Sequence, residues 1–200
     1  MLAVILAMTA AASLPRFLKE PITPDQYPPS ALRRNAQDFN QVRLIVNPVG
    51  AVERCDIVVE SEYSDLDAPV CRLMKRARLK PAQDRDGLAA YGVIKKWTSW
   101  SIGSPASPPV TADVVLSLNR LPAGLSGKPL AKLVLVVAAD GEVSSCDVAE
   151  SSGSPALDKA ACTSGVAAAQ IAAVQAAAGM PARSVQSLDV AFSVGQAGGQ

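Results

Sequence analysis

The sequence predicts an α+β protein made of two tandem copies of one small module, each an antiparallel sheet packed against one or two helices and closed by a disulfide. Three observations carry that prediction. Residues recur at one constant offset of 91 positions, among them Gly50 and Gly141, Cys55 and Cys146, and Cys71 and Cys162. Each copy places a glycine turn between two apolar stretches of strand character. In each copy the two cysteines are 16 positions apart.

The chain opens on an apolar run, residues 1–13, that ends in small residues. It is shorter than the roughly 20 residues a membrane-spanning helix needs and suits the apolar region of a signal peptide. Ala10 and Ala12 flank Ala11 in an A-x-A arrangement, so residues 1–12 are expected to be cleaved and the mature chain to begin near Ser13. Residues 13–26 then read as an N-terminal linker.

The first module spans 27–102 and the second 113–194. Each begins with a β-branched strand, 42–46 or 133–137. Gly50 and the pair Asp140-Gly141 supply the turn, because glycine accepts positive φ without steric cost. The returning strands carry Cys55, Ile57 and Val59, or Cys146 and Val148, on one face. A helix follows. In the second copy Ser154-Pro155 is a start signal, and the alanine-rich stretch 156–175 predicts a long helix; in the first, Asp67-Ala68-Pro69 opens one that runs to about Arg78. Past Gly87 or Gly179 each copy closes with a last strand, 91–100 or 185–194. A Pro- and Ser-rich linker at 103–112 joins the copies, and 195–200 reads as a disordered tail.

Structural zinc favours paired C-x-x-C knuckles, as does a redox pair, and these cysteines sit too far apart for either. Buried free thiols are the remaining alternative. Repetition of both positions points to the pairs Cys55–Cys71 and Cys146–Cys162, which need an oxidising compartment and so agree with export.

The run Tyr27-Pro-Pro-Ser-Ala-Leu-Arg33, with Gly50-x-Val52, Glu60-Ser61, Leu66-Asp67, Ala77-Arg-Leu-Lys-Pro-Ala82 and residues 84–87, resembles the C-terminal domain of TonB energy transducers. The second copy is a degenerate version: it keeps Asp140-Gly141-x-Val143 and Ser151-Ser-Gly153 with Leu157-Asp158, but lacks the Tyr-Pro opening. The resemblance implies a periplasmic protein-binding module associated with TonB-dependent outer-membrane transport. It also implies a partner, the short N-terminal box of an outer-membrane receptor, which adds as a strand to the sheet edge. Carried over by position, that edge is the last strand of the first copy, with Tyr91, Val93, Lys95, Trp97 and Trp100 as candidate contacts. The alternatives are an anchored transducer whose start lies upstream, and a structural module that stabilises the envelope.

Other classes are disfavoured. A formal charge of +1 argues against a nucleic-acid binder, which gathers Lys and Arg on one face. The chain has no histidine, which removes Ser-His and Cys-His pairs and His-ligated zinc. No cofactor, metal or small-molecule substrate is expected, and the repeated acids Asp67 and Asp158 read as helix-start residues facing the dipole rather than catalysts. The basic stretch 72–80 reads as the solvated face of a helix, with an anionic lipid or acidic protein surface as the alternative.

Overall fold

The computed structural model describes residues 10–103, 107–176 and 179–195; the expected signal peptide falls mostly, and the expected tail almost wholly, outside them. The fold is mixed α/β with few helices. Strands β1 (Asp38–Val46) and β2 (Val52–Val59) form the first hairpin, and β3 (Ala89–Trp100) pairs antiparallel with β1 from Gly92 to Trp100. After β4 (Val114–Leu118), strands β5 (Leu130–Val137) and β6 (Val143–Glu150) form the second hairpin, and β7 (Ser184–Val194) pairs antiparallel with β5. Both hairpins turn on a glycine at positive φ, +80° at Gly50 and +93° at Gly141.

The antiparallel strands expected in each copy are present, and they are joined into one sheet. Strand β3 lies parallel to β7, with Tyr91, Gly92 and Val93 opposite Ser184, Val185 and Gln186. The main path of the resulting eight-stranded sheet is β2-β1-β3-β7-β5-β6. The physical reason is that a last strand paired on one side presents a row of unsatisfied N–H and C=O groups on the other, and two such edges in one chain satisfy each other.

Register fixes how the faces are used. Neighbouring residues in register share a face. Ile94 therefore lies on the face of Gly92 and Val185, while Leu188 lies on that of Gln186 and Val93. In the first half, Val42, Leu44, Val46, Ile94 and Trp100 pack under α1 (Pro29–Arg33), α2 (Ser64–Asp67) and α3 (Val70–Arg76), which contribute Ala31, Leu66, Val70, Leu73 and Met74. In the second half, Leu133, Leu135, Leu188, Val190 and Phe192 pack under α4 (Pro155–Ala160), which contributes Leu157. The helices of the two halves thus cover opposite faces of one sheet.

Each half covers the face its partner leaves bare. Ala82 and Ala90 of the first half, with Ala12, pack on Val134, Val136 and Val185. Val174 of the second half packs on Ile45 and Val93. This second contact explains a correction to the expected helix 156–175. The helix passes through a π turn at Ala161–Gly165 and ends with α5 (Val166–Ala168), and Ala169 is already extended. Alanine favours helix by only tenths of a kcal/mol per residue, whereas burying one valine is worth about 1.5–3 kcal/mol, so packing decides the boundary. The helix expected to open at Asp67-Ala68-Pro69 and run to about Arg78 is α3, slightly shorter at Val70–Arg76 with Pro69 as its N-cap, and the separate turn α2 precedes it.

The N-terminal segment is packed, not a free linker. Arg16–Phe17 pairs with Leu79–Lys80, and Ser13 exchanges hydrogen bonds of 2.8 and 3.0 Å with Gln83. Pro15 crosses so close to Gly92 that a Cβ there would overlap the proline ring and press on the Ala82 methyl. Gly92→Val is therefore expected to cost about 2–3 kcal/mol by overpacking at the β3–β7 junction, read as a lower urea midpoint with an unchanged slope.

Both disulfides are formed, Cys55–Cys71 with Cα atoms 5.5 Å apart and Cys146–Cys162 with 5.8 Å. Each ties a returning strand to the helical layer over it. Asp67 and Asp158 do sit in first helical turns, and they do more than face a dipole. Asp67 accepts the Ser61 N–H at 3.1 Å, and Asp158 accepts the Ser152 N–H at 2.8 Å, fastening the same post-hairpin loop in each half.

Candidate binding edge

The open edge lies where β3 and β7 part. Alternate residues of an antiparallel strand direct their N–H and C=O groups to opposite sides. The hairpin closes with the Asn47 N–H on the Ala51 carbonyl, which sets the alternation of β1 and, through its ladder, that of β3. Tyr91, Val93, Lys95, Trp97 and Ser99 consequently turn their backbone groups away from β1. The β7 ladder reaches only Val93. From Lys95 onward, no described strand pairs with that side of β3.

The parting has a visible cause. β4 takes the near edge of β7 from Val190 to Val194, and Asp113 sits at its start. The Asp113 N–H donates to the Asp189 carbonyl at 2.8 Å, and its carboxylate accepts the Asp189 N–H at 2.9 Å. The other carboxylate oxygen of Asp113 is ion-paired with the Lys95 ammonium across the gap. β4 thus takes the edge of β7 that would otherwise continue along β3, and the ion pair spans the gap left between them.

Under the gap is a cleft of about 550 Å³, floored by Gln41, Arg43, Val93 and Lys95 and walled by residues 168–171 with Ser187 and Leu188. Gln41 is buried and reaches Thr111 at 3.5 Å. Arg43 is half-buried, and among the described residues its guanidinium has no ion-pair or hydrogen-bond partner. The floor is therefore cationic, with Asp113 as its counter-charge. Asp189 is held above the usual carboxylate range by burial and by the neighbouring Asp113 carboxylate, with Lys95 and Lys132 opposing.

That direction carries a prediction. A raised folded pKa means that the protonated form stabilises the fold and that the contribution is lost as pH rises through the folded value. Asp189→Asn is expected to raise Tm at pH 7 and to change it little at pH 4, as calorimetry at the two pH values would read.

Of the residues expected at this edge, Tyr91 and Val93 lie in the ladder with β7, and Val93 is buried. Trp100 is 2% exposed, in the helix-side core, with its ring edge-on to Tyr27 at 5.4 Å. Lys95 and Trp97 are half-buried on the open portion, and Trp97 stands edge-on to Phe39 at 6.5 Å. Arg43, Asp113, Ser187 and Asp189 were not singled out by the sequence. The one local hint was an acid, Asp189, in the middle of the last strand between Leu188 and Val190.

A family model described as Gram-negative bacterial TonB protein C-terminal matches residues 23–97. This segment runs from the turn before α1 through the hairpin and α3 to Trp97 on the open edge. The chain is similar to that family over residues 23–97. TonB C-terminal domains are envelope-associated protein-interaction domains of energy transduction, with outer-membrane receptors among their partners, and are not catalytic. Residues 98–200 lie outside the match. No curated protein and no solved structure matches the chain. Among the described residues no helix is long and apolar enough to cross a membrane, and no cluster of His, Cys, Asp or Glu could hold a metal ion.

Proposed function

We propose that this chain is a periplasmic protein-binding unit in which the open portion of β3 receives an extended segment of a partner, the N-terminal box of a TonB-dependent outer-membrane receptor. The observation that carries the reading is a strand edge, unpaired among the described residues from Lys95 to Trp100, that begins within the segment similar to TonB C-terminal domains and continues three residues past it. Backbone hydrogen bonds along Lys95, Trp97 and Ser99 would supply the grip, and the half-buried Trp97 ring would select an apolar neighbour. Residues 113–194 are, on this reading, a second and divergent copy of the domain, supported by the common offset of the two hairpins, disulfides and loop-fastening aspartates. Residues 1–12 are the export signal, and the paired cysteines suit an oxidising compartment.

A synthetic receptor-box peptide titrated into isotope-labelled protein tests the reading. Amide shifts concentrated at residues 95–100 are expected. Trp97→Pro, which removes an outward N–H and leaves the β1-facing groups in place, is expected to weaken binding at least about tenfold while circular dichroism is retained. Shifts elsewhere, or affinity untouched by Trp97→Pro, would sink it.

A further inference from the structure

A second feature is a cluster of cations on the N-terminal segment and around α3. Residues 16–20 and 70–80 hold seven of the chain's 19 Lys and Arg: Arg16, Lys19, Arg72, Lys75, Arg76, Arg78 and Lys80. Against them stands one acid, Glu20, and its partner is Lys96 rather than any of the seven. These two segments are therefore six charges positive in a chain whose total is +1. All seven side chains are exposed, and among the described residues none has an ion pair.

The fold brings them together from separate segments. In α3, Arg72, Lys75 and Arg76 occupy one outer face because Val70, Leu73 and Met74 take the inner one. The chain then returns as Leu79–Lys80 and pairs with Arg16–Phe17, setting Arg16 directly opposite Lys80. Like charges in direct cross-strand register destabilise a sheet, and no described carboxylate relieves the pair. The Leu18 N–H bonds the Arg78 carbonyl at 3.0 Å, which places an exposed leucine, 63% accessible, among the cations. Beside it lies a shallow depression lined by Pro21, Leu73 and Ala77. A helix C-terminus accounts for Lys75 and Arg76 through the dipole. It does not account for Arg16, Lys19 or Lys80, nor for the bare leucine between them.

The geometry points to an anionic phospholipid bilayer surface as the occupant of this face. Clustered unpaired cations are attracted to such a surface, and a projecting apolar side chain reaches below the headgroups. An acidic protein segment would satisfy the cations but leaves Leu18 without a role. None of the seven cations lies on β3; they belong to the N-terminal segment, α3 and the strand that follows it.

Co-sedimentation of the full chain with phosphatidylglycerol vesicles tests it, with phosphatidylcholine vesicles as comparison. Binding to the anionic vesicles alone, weakened by salt, is expected. The triple variant Arg72→Gln, Arg76→Gln, Lys80→Gln changes only exposed side chains and is expected to reduce binding at least about tenfold. Leu18→Asn is expected to reduce it severalfold. The control triple Arg120→Gln, Lys128→Gln, Lys159→Gln removes the same charge elsewhere and is expected to bind as the parent does. Equal loss in both triples would overturn the assignment, as would equal binding to both lipids, indifference to Leu18→Asn, or a preference for poly-glutamate over vesicles.

Discussion

Asp84→Ala is expected to lower stability by about 3 kcal/mol and to loosen the two halves from each other. The carboxylate is nearly inaccessible, 3% exposed, and every bond it makes holds the junction. It accepts the N–H groups of Asp86 and Leu88 at 3.0 Å each, which shapes the turn at residues 84–88, and the Arg183 guanidinium at 2.7 Å, which ties that turn to the second half. The same turn carries Arg85 to Asp147. Removing the carboxylate leaves two backbone donors without their acceptor and leaves the half-exposed Arg183 with only Asp86 at 3.9 Å, so the penalty includes unsatisfied turn donors as well as the lost ion pair. Urea denaturation should show the lower midpoint, and hydrogen exchange should show early opening at residues 82–90 and 183–186. Asp84→Asn keeps an acceptor for the turn and loses the ion pair, so its effect should be smaller.

The same residue sets a pH response. Burial pushes the Asp84 carboxyl up, but the N–H groups of Leu88 and Asp86 and the Arg183 cation outweigh it and hold the group below the usual range. Asp158 is held low in the same sense, its burial outweighed by Ser151 and Ser152. Asp65 is lowered first by its bond from Arg34 and then by Ser30. A depressed folded pKa contributes stability that is present above the unfolded value of about 4 and lost as pH falls through the folded value. With no histidine in the chain, no imidazole transition lies between. Protonation of these depressed carboxylates should therefore make stability fall steeply below about pH 5, against the gain as Asp189 takes up its proton, and Asp84→Ala should flatten part of that fall.

What the sequence revealed and what it hid divide by range. The hairpins, last strands and disulfides follow from short-range signals: a glycine where φ must be positive, alternation along each strand, and equal cysteine spacing. The parallel contact of β3 with β7 joins residues more than 90 positions apart, and the alternation of β3 is the same whatever lies on its far edge. The two tryptophans show the same limit. Trp97 and Trp100 look alike in composition, but their odd and even positions put one beside the cleft and the other under the helices. Residues 170–175 read as helix because alanine favours it, and only the hollow over Ile45 and Val93 makes extension the better choice for Val174. Arg43 and Asp113 gain meaning from the parting of two strands, which no local pattern encodes.

Removing a disulfide should be as damaging as removing Asp84, and unequally so in the two halves. Closing a loop of 16 positions is worth about 3 kcal/mol in the chain-entropy model, so Cys55→Ala/Cys71→Ala and Cys146→Ala/Cys162→Ala should each lower Tm by about 6–12 °C. The native contacts left behind differ. The first-half helices keep Leu66, Val70, Leu73 and Met74 buried under the sheet, and these can hold them without the bond. The second-half helix offers only Leu157 and Ala161 to the fully buried core and is interrupted by a π turn. Isolated helices of this length are marginal in water, so residues 155–168 should melt locally when Cys146–Cys162 is absent. That loss would reach the candidate binding edge, because residues 168–171 wall the cleft and Val174 covers Val93. Hydrogen exchange on the two variants should therefore show fast exchange over 155–176 in the second and near-native protection of α3 in the first. Equal protection of both helices would mean that the apolar contacts, not the disulfides, hold the helical layers to the sheet.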